Sequence, residues 1–219
     1  VTVSLVHEAA LWDAGFAAVA GIDEVGRGAL AGPVSVGVSV VTRCDTWPEG
    51  LTDSKLLSAA RREAMIEPLT TFGIARAVGH ASSAEIDAVG IVAALRLAAR
   101  RALDAVDAPV DAVLLDGTHD WLTPPPADLF SLEGPGEDWQ APPVTMVVKG
   151  DRACASIAAA SVLAKVERDA LMAAAHLEHP EYSWDSNKGY GANSHLEALR
   201  VHGPSPLHRV SWKLPFRAV

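Results

Sequence analysis

Valines alternate with small residues through "PVSVGVSVV" (33–41), the period-two pattern of a strand. The apolar run before it, from Val19, stops on the adjacent acids Asp23 and Glu24 and passes into the glycine-rich "GRGALAG". Two strands joined by that connection are the simplest reading, with a third over "FGIARAVGHAS" (72–82). Two short apolar runs, "DAVLLDG" (111–117) and "PVTMVVKGD" (143–151), read as buried strands ending on Asp116 and Asp151. Helical spacing predicts a helix in "LLSAARREAMIEPL" with Ser58 as N-cap, and a second over 88–106 with Arg96, Arg100 and Arg101 opposite its apolar side. An alanine-rich helix follows from Ala153 to about Leu177, and then a loop leading into a short helix within 179–199. Residues 118–142, with five prolines and two glycines, read as a surface excursion. Strands alternating with helices, and no internal repeat, predict an α/β fold in one domain over 1–219 with a helical extension from about 178.

The chemistry suggested by this pattern lies at the strand ends. In an α/β sheet, ligands gather there, so acids on three strands can meet although far apart in sequence. Any one of them alone is a turn former or a helix cap, and Asp116 before Gly117 is a common turn dipeptide. Together, four crowded carboxylates need cations, and oxygen-only donors select hard ions such as Mg²⁺ or Mn²⁺. Two such ions about 4 Å apart suit an in-line phosphoryl displacement. Neighbouring strand residues point to opposite faces, so Asp23 and Glu24 can share a site only if the strand has loosened at Glu24. The glycines of "GRGALAG" do not have dinucleotide-binding spacing, and a strand follows them where that motif needs a helix. They suit a backbone pressed against a ligand, with Arg27 reaching phosphate.

Composition narrows the class. Of the 219 residues 49% are hydrophobic and 21% charged, as in a globular protein, and no run is long enough to span a bilayer. The opening residues lack a signal peptide's basic end and clean apolar core, so a cytoplasmic location is expected. Cys44 and Cys154 have no metal-site spacing and read as buried thiols. A net charge of −9 argues against bulk attraction to a polyanion, yet the charge is uneven. Residues 1–148 hold 9 Lys and Arg against 20 Asp and Glu, whereas residues 149–219 hold 9 against 7 and five of the eight histidines. A polyanion is expected against the C-terminal third.

The segments "GIDEVGRGALAGP", "LTDSKLLS", "LLDG", "VKGDRACASIAAASVLAKVERD", "HPEYSWDSNKGYGANSH" and "HGPSPLHRVSW", in that order over residues 21–212, resemble the bacterial type 2 ribonuclease H family, ribonuclease HII. The resemblance implies a ribonuclease H-like fold, a central mixed sheet flanked by helices. It also implies a divalent-metal endonuclease acting on RNA/DNA hybrids and nicking 5′ to single ribonucleotides in duplex DNA. By motif, it assigns the catalytic and metal-binding acids to Asp23, Glu24, Asp116 and Asp151, with two Mg²⁺ or Mn²⁺ ions. It assigns recognition of the ribonucleotide–DNA junction to Gly26, Arg27, Gly28 and Tyr190. Asp169 in "VERD" is also a motif residue, and its place within the long helix points to anchoring rather than catalysis. Candidate phosphate contacts are Lys55, Lys149, Arg152, Lys165, Lys188 and Arg209, with Lys55 and Lys188 favoured because both lie in loop motifs. His208 is expected to hydrogen-bond within the fold.

Two departures stand out: Ala192 where the family commonly has threonine, and Trp212 in place of phenylalanine. The excursion at 118–142 is expected to be peripheral, its deletion leaving activity intact. Arg27 and the roughly 18 residues before the first strand disfavour the related type with "GKG" and an added N-terminal domain. An inactive hybrid-binding module is disfavoured by the complete acid set. A monomer is expected, and "WKLPFRAV" offers no clear clamp-binding pattern.

Overall fold

The computed structural model describes residues 3–124 and 139–215. Residues 125–138 of the proline-rich excursion, and the end of "WKLPFRAV", lie outside them. In chain order the elements are α1 (Val6–Asp13), β1 (Val19–Val25), β2 (Val34–Val41), a 3₁₀ turn at Ser54–Leu56, α2 (Ala59–Leu69), β3 (Ala75–Ala81), α3 (Ser83–Val89), α4 (Ile91–Ala105), β4 (Ala112–Asp116), β5 (Val144–Val147), α5 (Gly150–Ala153), α6 (Ala155–Glu178), a second 3₁₀ turn at Pro180–Tyr182, α7 (Trp184–Asn187) and α8 (Asn193–His202). The strands form one mixed sheet in the order β3-β2-β1-β4-β5. β1 runs antiparallel to β2 and parallel to β4, and β4 runs parallel to β5.

The alternation in β2 follows from burial on both faces. Val34, Val36, Val38 and Val40 enter one core with Ile22, Leu95, Ala98, Ala102 and Leu115, beneath α4. Ser35, Gly37 and Ser39 face α6, and their small size lets that helix approach closely. A Cβ at Gly37 would lie 2.1 Å from the Ala160 carbonyl oxygen, so the sheet and the α6 backbone touch. A second core, on the α6 side, gathers Val19, Met65, Leu69, Leu114, Ile157 and Val162. A third, formed by Tyr182, Trp184, Ala198 and Leu199 on Ala31 and Met172, seats the C-terminal elements.

Several boundaries differ from the sequence reading. The expected helix over 88–106 is two helices: Gly90 at φ 78° breaks the chain, and Ser82 with Glu85 makes a capping box before α3. Ser58 does cap α2, accepting from Arg61 N. The expected Ala153–Leu177 helix begins only at Ala155, because Cys154 is extended and pairs with Ser4. Buried Glu8 on α1 then caps α6, accepting from Ser156 N at 2.9 Å and Ser156 Oγ at 2.6 Å. The described start of the 118–142 excursion is not peripheral. Trp121 and Leu122 are fully buried in the α4-side core, and Trp139 packs against it. Among the described residues, no helix is long and apolar enough to cross a membrane.

Candidate active site

β1 carries the first two acids, and it has not loosened where the sequence reading required it to. Glu24 and Val25 still pair with Val36 and Ser35 of β2, while pairing with β4 stops at Ile22–Leu115. The free edge beyond Ile22 is the opening: on one side the strand keeps its ladder, and on the other it exposes a corner beside Asp116. Asp23 leaves β1 toward α6, and Asp116 leaves β4 toward the same face, two residues after Leu114 of the α6-side core. Glu24 follows at the exposed strand end, where Arg27 Nη1 meets it at 3.3 Å, and because β4 no longer flanks β1 beyond Ile22 both acids reach one cleft without the strand loosening.

Asp151 also departs from expectation. It does not end a strand; β5 stops at Val147, Lys149 turns through the left-handed region at φ 57°, and Asp151 lies in the short helix α5. Asp116 holds this turn by accepting from Gly150 N at 2.6 Å.

The electrostatics are those of crowded, buried acids. Asp23 is pushed up to about 8, chiefly by burial, with Glu24 and Asp116 adding repulsion and a Ser161 hydrogen bond and Lys55 opposing it. Burial likewise raises Glu24, partly offset by Arg27, and raises Asp151, where Asp116 and Asp53 add to it. Lys55 is the cation among them. Burial works against its charge, but Asp23, Asp53, Asp151 and Asp116 outweigh it and raise its pKa. Its Nζ stands 3.8 Å from Asp151 Oδ2, on a 3₁₀ turn capped by Asp53. Ser54 and Ser161 share a 2.8 Å hydrogen bond beneath it.

Among the described residues, no three acid, histidine or cysteine side chains close on one point as a finished metal shell. The donor chemistry nonetheless fits hard cations: oxygen-only groups, three of them with pKa values raised in the direction that added positive charge would reverse.

A cleft of about 410 Å³ is lined by Asp23, Glu24, Gly26, Arg27, Gly28, Ser54, Lys55, Lys165 and Tyr190, with Val25. The structure therefore brings two of the acids and the whole junction-recognition set together, while Asp116 and Asp151 border it through Lys55. Gly26, at φ 87°, donates its N–H to Tyr190 Oη at 3.2 Å, and a Cβ there would strike Arg168. Tyr190 is 38% exposed, so its ring faces the cleft while its hydroxyl is tied to the loop.

The other cations divide. Lys188 lines the neighbouring groove with Arg62 and Asp169, and its Nζ donates to the Asp185 carbonyl. Arg152 is engaged by Asp53, and Arg209 is fully buried among backbone carbonyls, so it cannot touch a phosphate. Asp169 binds Lys165 on α6 and Arg62 on α2, the expected anchoring contact.

Beneath Tyr190, His208 hydrogen-bonds within the fold as expected, in a network whose other members, His195 and Trp184, the sequence did not reveal. Ser205 N donates to His208 Nδ1, which leaves the proton on Nε2 to be donated to His195 Nε2 at 2.9 Å. His195 Nε2 also accepts from Trp184 Nε1, so His195 Nδ1 carries the proton and donates to the Tyr190 carbonyl at 2.9 Å. Both imidazoles are neutral in this arrangement. Ser161, Arg168 and His195 were legible only as members of apolar or polar runs, since the partners that define them are distant in sequence.

A mixed sheet whose central parallel pair opens on buried acids, beside a glycine loop and an aromatic ring, defines the ribonuclease H-like class of hydrolases. The structure is similar to the ribonuclease H2 of Pyrococcus horikoshii (TM-score 0.64, 21% identity, covering 90% of this chain and 95% of that one). It is also similar to the Bst ribonuclease HIII solved in complex with Mn²⁺ (TM-score 0.61, 18% identity, 91% of this chain and 68% of that one). In sequence it is 48% identical over 194 residues to the ribonuclease HII of Streptomyces avermitilis, covering 89% of this chain and 76% of that protein. The family pattern described as ribonuclease HII matches residues 20–215. The chain belongs to the ribonuclease HII family and is a ribonuclease H hydrolase.

Proposed function

We propose that the protein is an endoribonuclease that cuts the RNA strand of RNA/DNA hybrids and nicks duplex DNA 5′ to an embedded ribonucleotide, leaving 3′-hydroxyl and 5′-phosphate ends. The observation that carries this is the shared cleft: Asp23 and Glu24 line it together with Gly26, Arg27, Gly28 and Tyr190. An acid-lined reaction centre and a surface able to tell RNA from DNA are thus a few residues apart. The 2′-hydroxyl distinguishes the two nucleic acids because it both donates and accepts hydrogen bonds. Arg27 and Gly28 are exposed, with open space beside Gly28, so their backbone is accessible to that hydroxyl. The Tyr190 ring offers a flat apolar face for the following deoxyribose, where a second 2′-hydroxyl would lose water without gaining a partner.

Asp23, Glu24, Asp116 and Asp151 are the residues we assign to hold divalent cations, Mg²⁺ or Mn²⁺. A bound pair of such ions supplies activation of the attacking water and stabilisation of the leaving 3′-oxygen. The protein's own part is positional. Ser161 and the buried wall of α6 orient Asp23, the Gly150 N–H orients Asp116, and Lys55 balances the acid charge. Lys55 at the cleft and Lys188 in the neighbouring groove are the assigned phosphate contacts. We assign the enzyme, as a cytoplasmic monomer, to ribonucleotide removal from DNA.

The test compares a DNA duplex carrying one ribonucleotide with the same all-DNA duplex in Mg²⁺, Mn²⁺ and EDTA. A metal-dependent nick 5′ to the ribonucleotide is expected. Cutting confined to long hybrids would remove the junction role of Tyr190 and the glycine loop, and binding without cleavage would replace the enzyme with a hybrid-binding module.

A further inference from the structure

Two arginines are fully buried side by side beneath the recognition loop, and neither has a carboxylate partner among the described residues. Arg209 donates from Nη2 to the Gly26 carbonyl at 2.7 Å and the Gly32 carbonyl at 3.1 Å. Its Nη1 donates to the Arg27 carbonyl at 2.9 Å, and its Nε to Gly32 again at 3.3 Å. Arg168 donates from Nε to the Pro33 carbonyl, from Nη1 to the Lys188 carbonyl and from Nη2 to the Ala31 carbonyl, at 2.8, 2.9 and 3.2 Å. Its guanidinium lies 5.4 Å from the Tyr190 ring centroid, and that of Arg209 lies 4.9 Å from the Trp212 ring. Asp169 and Asp87 oppose these charges only from beyond ion-pair distance, so burying the two side by side is costly, and tying loop carbonyls does not by itself need a charged group.

The direction of the carbonyls supplies the reason. In a trans peptide the C=O of one residue and the N–H of the next point in opposite directions. No cis peptide occurs among the described residues. With the Gly26 and Arg27 carbonyls both drawn inward to Arg209, the N–H groups of Arg27 and Gly28 are turned outward. Neither N–H has a hydrogen-bond partner among the described residues, and both residues are exposed at the cleft. Two outward donors, over two buried positive charges, form a surface that favours an oxygen carrying partial or full negative charge.

Resting on the proposed function, we propose that Arg209, with Arg168 behind it, is the positioning residue for ribonucleotide recognition: its fork holds the Gly26 and Arg27 carbonyls inward so that the Arg27 and Gly28 N–H groups face a substrate oxygen. The fork is needed as well as the charge. A lysine keeps the positive charge but has one nitrogen and cannot span carbonyls served by Nε, Nη1 and Nη2.

Arg209→Lys separates these roles. Binding of the one-ribonucleotide duplex and of the matched all-DNA duplex is measured in EDTA for wild type and variant, with circular dichroism checking the fold. The folded variant is expected to lose about tenfold of the wild-type preference for the ribonucleotide, the loss of one to two hydrogen bonds. Its all-DNA affinity should change by less than about twofold, which a general loss of stability would not produce. A folded Arg209→Lys that keeps the wild-type preference overturns the inference alone. A wild type with no preference overturns the functional reading and this inference with it. If the variant does not fold, the wild-type amides decide. The ¹⁵N–¹H signals of Arg27 and Gly28 should move with the ribonucleotide duplex and not with the all-DNA duplex, and equal responses to both overturn the proposal.

Discussion

Asp23 is the residue at which stability and function oppose each other most clearly. Its folded pKa of about 8 lies above the usual carboxylate value, so the fold favours the protonated form. Without a cation, stability is therefore lost as pH rises from about 4 toward 8, and the native state carries a cost on the order of 4 kcal/mol at neutral pH. Asp23→Asn should accordingly raise the unfolding midpoint in EDTA while abolishing cleavage in Mg²⁺; calorimetry and the nicking assay check the two halves. His208 has the opposite sign. Burial first, then neighbouring His195, lowers it to about 4, so it stays neutral and contributes stability fully above pH 6.5. That contribution, on the order of 3 kcal/mol, is lost as pH falls from 6.5 through about 4, because His208 Nδ1 would gain a proton where it now accepts from Ser205. An NMR titration of the His208 imidazole should show no titration above pH 5.5. The four acids were legible as residues in the sequence, but their coupling through Lys55 was not. Spacing along the chain carries no information about which side chains meet across a sheet edge.

At the scale of elements, α6 connects the fold to the site. Its alanine-rich face rests on Gly37, which places Ser161 against Asp23, Arg168 against Gly26 and Asp169 against Arg62. One helix thus sets an acid, the recognition loop and the α2 anchor. The valine–small alternation in β2 was readable as a strand, yet its small positions are explained only once the helix lying on them is seen. The boundaries that sequence reading missed, at Gly90 and Cys154, come from a backbone conformation and a pairing with Ser4 that apolar periodicity does not register. Helix α8 begins at Ala192, in the extended N-cap conformation but with no side-chain acceptor. Ala192→Thr should stabilise the protein by about 1 kcal/mol, seen as a higher urea midpoint with an unchanged slope.

At the scale of the whole molecule, three cores join into one scaffold, and the proline-rich excursion contributes to it. Trp121 and Leu122 enter the α4-side core, so removing all of 118–142 would strip packed side chains. Trp121→Ala should cost about 3–5 kcal/mol by denaturant unfolding. The sequence by itself determined the α/β class and marked the acids, the glycine loop and the aromatic residue as candidates. These depend on residue type, short-range periodicity and local motifs, all of which are written along the chain. Only the tertiary structure decided that Asp151 stands on a helix after a left-handed turn, that Lys188 lies outside the cleft, that Arg209 is buried beneath the loop, and that His195, itself held by His208, donates to the Tyr190 carbonyl. Each of these depends on which distant segments pack together, and packing is settled by shape and burial across the sheet rather than by neighbours in sequence.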